Sequence, residues 1–246
     1  FGMLDALGSY PVVVGMFAIW GLSLSALLVG WHTAAAAWLS WLLTLWFYFR
    51  NPTFTNGGDE VVRLLTLYLA WGYSAISPGR RALTFDGARA RAVESQTTMQ
   101  VHEAWPLRMI QVQICLVYLA SGFLKVVGPA WWDGSALPLA LGDHTFSRLG
   151  APDWTWAQPF FAIGGIAIAW WELLFAALMV NKRTRVPALW FGVAMHAGIF
   201  VTMSIGIFSV IMIGGYAAFL TPAESRWIVE RARGLLRRKR EALPSA

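Results

Sequence analysis

At 246 residues, with 57% hydrophobic side chains, 13% charged residues and fifteen tryptophans, the chain is too apolar for a soluble domain of its size. Its pI near 9.9 rests on sixteen arginines and three lysines. Most of these flank apolar segments, which marks a membrane surface and excludes a nucleic-acid partner, and the single Cys115 excludes an intramolecular disulfide and any cysteine-built metal centre.

Crossing a hydrocarbon core takes about 20 apolar residues. Five runs approach that length: Pro11 to Val29, Ala34 to Phe49, Val61 to Ile76, Met109 to Val127 and Ala157 to Val180. The second and third are short and need flanking residues to extend them. Gly57-Gly58 before Asp59 marks a turn and helix start. A sixth stretch, Pro187 to Leu220, would be about 50 Å long as one helix, more than a membrane thickness. It either crosses twice or folds as a re-entrant hairpin, with the break expected at Ser204-Ile205-Gly206. The expected fold is therefore an all-α polytopic transmembrane bundle over 1–220, with about seven spans or five spans plus a broken, re-entrant pair. A basic amphipathic tail helix follows over 221–246.

Short cytoplasmic loops collect Lys and Arg. Arg80, Arg81, Arg89, Arg91 and Arg108 lie between the third and fourth spans, and Lys182, Arg183 and Arg185 follow the fifth. The tail adds Arg226, Arg231, Arg233, Arg237, Arg238, Lys239 and Arg240, against only Arg50, Arg63 and Arg148 on the opposite face. All three cationic regions are thus expected in the cytoplasm, and the chain in a membrane, the inner (cytoplasmic) membrane of a bacterium. The same alternation places Phe1 outside, so an upstream span is expected before it. Thr221-Pro222-Ala223-Glu224 has the form of a capping box with Pro at the first helical position. Arg226, Trp227, Arg231, Arg237 and Arg238 then make a membrane-surface face of arginines around apolar residues, unless the tail is merely a solvated charge.

Ionisable groups at membrane depth point to function, and there are three. Gln111, Cys115, Tyr118, Gly122 and Lys125 follow helical steps of three or four and share a face. Lys125, close to the span end, either snorkels to water or acts as an amine base in a pocket lined by Gln111, Tyr118 and Gly122. Glu172 has apolar helix on both sides and needs Lys125, His196 or a ligand as partner. His196 sits in Ala194-Met195-His196-Ala197-Gly198, whose small residues permit close helix approach. No second histidine stands at ligand spacing, so no haem or metal site is expected. Nucleotide-binding loops, a serine nucleophile elbow and internal repeats are absent. The segment from Pro129 to Trp156, with Trp131, Trp132, Trp154 and Trp156, reads as an interfacial hairpin or as a lid over a lateral pocket.

Several motifs together resemble the horizontally transferred transmembrane (HTTM) domain, the family that includes vitamin K-dependent gamma-carboxylase. They are Arg50-Asn51-Pro52 with Asn56-Gly57-Gly58-Asp59, Ser77-Pro78-Gly79-Arg80 with Thr84-Phe85-Asp86, Gln111 through Lys125 into Gly128-Pro129-Ala130-Trp131-Trp132-Asp133-Gly134, and His196 with Ser204-Ile205-Gly206-Ile207-Phe208-Ser209. The resemblance implies that Lys125 is the counterpart of the carboxylase's base and faces a pocket, with Glu172 and His196 where the family tends to carry an acid and a histidine. It also implies a quinone or lipid as ligand. The carboxylase has a large lumenal substrate-binding domain after its bundle, whereas this sequence runs to a basic tail, so glutamyl carboxylation is not expected. Two functions remain: a small membrane enzyme or binding protein retaining a quinone or lipid pocket, or a noncatalytic subunit of a larger respiratory or photosynthetic membrane complex. A transporter is disfavoured by the absence of an inverted repeat.

Overall fold

The computed structural model describes residues 9–50, 57–75, 105–149 and 155–241, with side chains for all of these except 233 and 235–241. Among them all regular structure is helical apart from one isolated bridge, Ser147 to Met203. Ser77-Pro78-Gly79-Arg80, Thr84-Phe85-Asp86, Asn51-Pro52 and Trp154 lie outside the described residues, as do the side chains of Arg237 and Arg238.

Helix α1 (Tyr10–Val29) starts with Pro11 in its first turn and stops at Gly30. There a left-handed φ of 77° lets Gly30 N–H bond Leu27 O at 3.1 Å and Trp31 N–H bond Ala26 O at 2.9 Å. This Schellman closure favours glycine, which carries no Cβ penalty at positive φ. Helix α2 (Thr33–Arg50) returns against α1 through small and hydroxyl residues. Ser23 Oγ and Ser40 Oγ share a buried hydrogen bond of 2.9 Å, and Trp20 Nε1 donates to Thr44 Oγ1 at 3.1 Å. Such polar contacts hold helices together where lipid supplies no hydrophobic drive between them. Ser23 is the only buried residue of α1, which sits at the edge of the bundle.

Helix α3 (Gly57–Ala75) joins α2 to the centre and starts at the glycine pair, as its sequence suggests. Next come α4 (Trp105–Val127), the short α5 (Ala136–Gly142), α6 (Gln158–Val180) and α7 (Lys182–Thr202). The chain then breaks, with extended backbone at Met203 and Gly206 at φ 62°. It resumes as α8 (Phe208–Gly215), a 3-10 turn (Tyr216–Phe219) and the tail helix α9 (Pro222–Glu241). The break falls where glycine in the apolar stretch suggested it. Arg148 N–H to Thr202 O (2.9 Å) and Ser204 N–H to Phe146 O (2.5 Å) pin the α5–α6 connection onto it.

By length and composition α1, α4, α6 with its preceding 3-10 turn, and α7 are long and apolar enough to cross a membrane. Flanking residues extend the second and third apolar runs, making α2 18 and α3 19 residues long, but neither is among these four helices. The α8 arm with its 3-10 turn spans about 20 Å, less than the about 30 Å hydrocarbon core. The buried core gathers around α4, α6 and α8, where Ile114, Tyr118, Phe175, Met212 and Tyr216 interlock.

Candidate functional site

Two glycines set how closely α4 meets its neighbours. A Cβ on Gly122 would stand 2.3 Å from Leu173 N and 2.8 Å from the Glu172 carbonyl carbon, so the backbones of α4 and α6 touch there. A Cβ on Gly215 would meet Ile114 Cδ1 at 2.6 Å, so on another side the Ile114 side chain of α4 packs onto the backbone of α8. The Gly122 contact puts the next turn of α4 beside Glu172. Lys125 Nζ lies 2.7 Å from Glu172 Oε2 and donates to Ser121 Oγ at 2.6 Å, while the Trp131 ring stands 5.0 Å from the ammonium. Both charged side chains are largely enclosed, at 17% and 7% exposure. An ammonium held by a carboxylate, a hydroxyl and an aromatic face is fixed within the protein. Lys125 therefore does not snorkel, and Glu172 takes Lys125 as its partner.

About two turns before Lys125 on α4, Tyr118 OH lies 2.7 Å from His196 Nε2 and 2.5 Å from Tyr216 OH, linking α4, α7 and the turn after α8. Trp171 and Phe175 pack on the Tyr118 ring at 4.9 and 4.4 Å between centroids. His196 is 2% exposed, and its Nδ1 is buried with no hydrogen-bond partner among the described residues. Gly192 makes this geometry accessible: a Cβ there would collide with Tyr216 OH and Trp171.

The two polar groups line one cavity of about 600 Å³, whose other walls include Ile168, Met195, Ile199, Phe208 and Met212. Trp131, Leu137 and Leu141 also line it, so the segment after α4 contributes to its wall. Asp133 and Ser135 shape that segment: hydrogen bonds from Ser135 hold the Asp133 carboxyl below the usual carboxylate range. Gly198 has open space around the position of a Cβ and borders the cavity; the close helix approach expected near His196 is made by Gly192 instead.

The sequence grouped Gln111, Tyr118 and Gly122 as pocket lining, and only Tyr118 lies in that wall. Gln111 is about two turns below Tyr118 on the same helix, and its Nε2 reaches Ala218 O at 2.6 Å at the other end of the bundle. Gly122 is spent on helix contact. Tyr216 and Ser121 escaped the sequence reading. Ser121 is one turn before Lys125 and could have been found by spacing; glycine marks the break at Gly206, but nothing in the apolar run says that the break carries Tyr216 onto Tyr118.

At the opposite end, Thr221 N–H donates to Glu224 Oε2 at 2.7 Å and Glu224 N–H to Thr221 Oγ1 at 3.3 Å, the reciprocal capping box. Arg185 grips the same carboxylate through Nη2 at 2.7 Å and Nη1 at 3.0 Å, and also donates to Phe219 O. The Arg185 guanidinium, followed by the Thr221 backbone N–H, holds Glu224 down at about 2. Arg226 and Arg231 are exposed on α9 beside exposed Trp227 and Ile228. Among the described residues no group of three potential metal ligands comes together.

No curated protein and no solved structure matches the chain. The model of the HTTM domain matches residues 1–224, which takes in the bundle, both polar groups and the capping box. With its apolar helices the protein is a membrane protein in contact with the lipid bilayer, and the chain belongs to the HTTM domain family.

Proposed function

We propose that the protein binds an amphiphilic, oxygen-bearing molecule of quinone or lipid type in the cavity between α4, α6, α7 and α8, as a small membrane enzyme or binding protein. One observation carries this reading: the Lys125–Glu172 pair and the Tyr216–Tyr118–His196 chain converge on a single apolar cavity of about 600 Å³. That volume lies within the roughly 300–1,000 Å³ of small-molecule sites, which are apolar with a few convergent polar groups. If Tyr216 donates to Tyr118 and Tyr118 to His196 Nε2, neutral His196 carries its proton on Nδ1. That N–H is sealed within the protein with no acceptor among the described residues. Lys125 supplies a charged donor whose position Glu172 and Ser121 fix. A bound quinone would supply a redox-active ring; the residues of this chain would orient its oxygens, exclude water and hold a proton at Lys125 Nζ.

The noncatalytic-subunit reading draws on the outer face of α1, where Phe17, Leu22 and Leu28 are exposed, although bilayer lipid covers such a face equally well. One preparation separates the two. Protein taken from native membranes in polymer nanodiscs is analysed by mass spectrometry, and its tryptophan fluorescence, to which Trp131 in the cavity wall contributes, is titrated with a short-chain benzoquinone. A retained ligand and saturable quenching, both lost in Lys125→Ala and His196→Ala, are expected. Stoichiometric partner chains with neither ligand nor quenching would replace the pocket reading by the subunit reading.

We further assign the arginine-rich end of the bundle to the cytoplasm of a bacterial cell, on the cation distribution. In a Cys115→Ser background, an impermeant thiol reagent added outside should label Gly142→Cys and spare Arg183→Cys. The reverse pattern would invert the topology.

A further inference from the structure

A second cavity, of about 940 Å³, opens at the arginine-rich end and shares no lining residue with the Lys125 cavity. Its long wall is apolar, formed by Val112, Leu116 and Leu119 of α4 with Val180 of α6. Leu116 and Val112 are about half exposed. Its rim is cationic: Arg108, Lys182 and Arg185 all line it, and among the described residues no carboxylate does. Arg185 is committed to Glu224 and Phe219 O. Arg108 gives one N–H to Gln111 Oε1 at 2.9 Å and keeps an exposed guanidinium, and Lys182 is exposed. Neither forms an ion pair among the described residues. Arg108 is in the first turn of α4 and Lys182 opens α7, so two helix N-termini add their partial positive charge to the same rim.

We propose that this groove is a binding site for one anionic phospholipid of the surrounding bilayer. The phosphate is held by Arg108 and Lys182, and an acyl chain lies along Val112, Leu116, Leu119 and Val180. Charge complementarity selects the occupant: a zwitterionic lipid brings its own ammonium to a rim whose Arg108 and Lys182 have no ion pair among the described residues, and a soluble anion leaves the apolar wall unfilled. The tail helix is roofed onto the same site through Arg185 and Glu224, so lipid occupancy and tail position are coupled.

The test measures retention of phosphatidylglycerol and of phosphatidylcholine with identical acyl chains by the full chain in detergent, using native mass spectrometry, with inorganic phosphate as a separate arm. A single, preferentially retained phosphatidylglycerol is expected. Losing about 1 kcal/mol per juxtamembrane cation, at 1.4 kcal/mol per tenfold, weakens it about 5-fold in Lys182→Gln and about 25-fold in Arg108→Gln/Lys182→Gln. Leu116→Trp, at a half-exposed position of the groove wall, fills the acyl groove and should also abolish retention. Arg226→Gln/Arg231→Gln, in the tail, should leave it intact. Equal retention of both lipids, indifference to both groove variants, loss in the tail variant instead, or equally tight binding of inorganic phosphate would each overturn the proposal.

Discussion

Replacing Gly122 with alanine places a Cβ 2.3 Å from Leu173 N and 2.7 Å from Leu173 Cα, both backbone atoms that no rotamer change can move. Ordinary contact begins at 3.4 Å, so α4 and α6 must separate by 1.1 Å (3.4 minus 2.3) at this level. Lys125 is less than one turn from Gly122, and Glu172 is adjacent to Leu173. A shift of that size stretches the 2.7 Å Lys125–Glu172 contact beyond hydrogen-bonding range unless both side chains readjust. Overpacking of this kind costs about 1–3 kcal/mol, partly offset by the roughly 1 kcal/mol by which alanine outranks glycine in a helix. Because the clash is with backbone atoms, the upper part of that range applies, about 2–3 kcal/mol, and the net expectation is destabilisation of about 1–2 kcal/mol together with weaker ligand retention. Gly198→Ala is the matched control. Open space surrounds that position, so the helix-propensity gain stands uncompensated while the added methyl group intrudes on the cavity. Thermal melting in one detergent, with steric-trapping free energies for both variants, gives the comparison. Gly122→Ala as stable as the parent protein, or Gly198→Ala as damaged as Gly122→Ala, would refute the argument that α4 and α6 meet at Gly122 to register the charged pair.

Two further outcomes follow from the hydrogen-bond geometry. Tyr118→Phe keeps the ring packed on Trp171 and Phe175 but strands His196 Nε2 and Tyr216 OH. A cost of about 1–3 kcal/mol is expected, and a melting temperature unchanged from the parent protein would mean that the chain of three side chains is not formed. Glu224 binds its proton less tightly when held by Arg185 than at its ordinary value of 4.5, so its pairing favours the docked tail above that pH. The advantage is lost as pH falls from about 4.5 towards about 2. Proteolytic release of α9 should therefore increase over that interval, and the increase should vanish in Glu224→Gln; a pH profile identical in the two proteins would show that Glu224 does not hold the tail.

Much of this protein is legible in its sequence because the bilayer restricts the choices. Backbone groups in hydrocarbon must bond internally, so apolar runs of span length announce helices, and α1, α4, α6 and α7 appear within a few residues of the expected limits. Capping and turn chemistry is equally local: Thr221 and Glu224 close a capping box, Gly30 ends α1, and the glycine at 206 marks the break in the apolar stretch. The three ionisable groups at depth also stand out, since their cost makes them conspicuous wherever they occur.

Partner choice is decided by tertiary structure, because it depends on the rotation and separation of whole helices. The helical stripe from Gln111 to Lys125 shares one face in projection, yet it is about 20 Å long and meets different neighbours along its length. Gln111 ends beside Ala218, Tyr118 in the cavity wall, Gly122 against the backbone of α6, and Lys125 on Glu172. A periodicity of 3.6 fixes direction around a helix axis and says nothing of which element stands opposite each turn. Tyr216 shows the same limit from the other side. It reaches Tyr118 because the chain reverses through Gly206 and α8 presses Gly215 onto Ile114, a contact set by packing volume across nearly one hundred residues of sequence that no local pattern encodes.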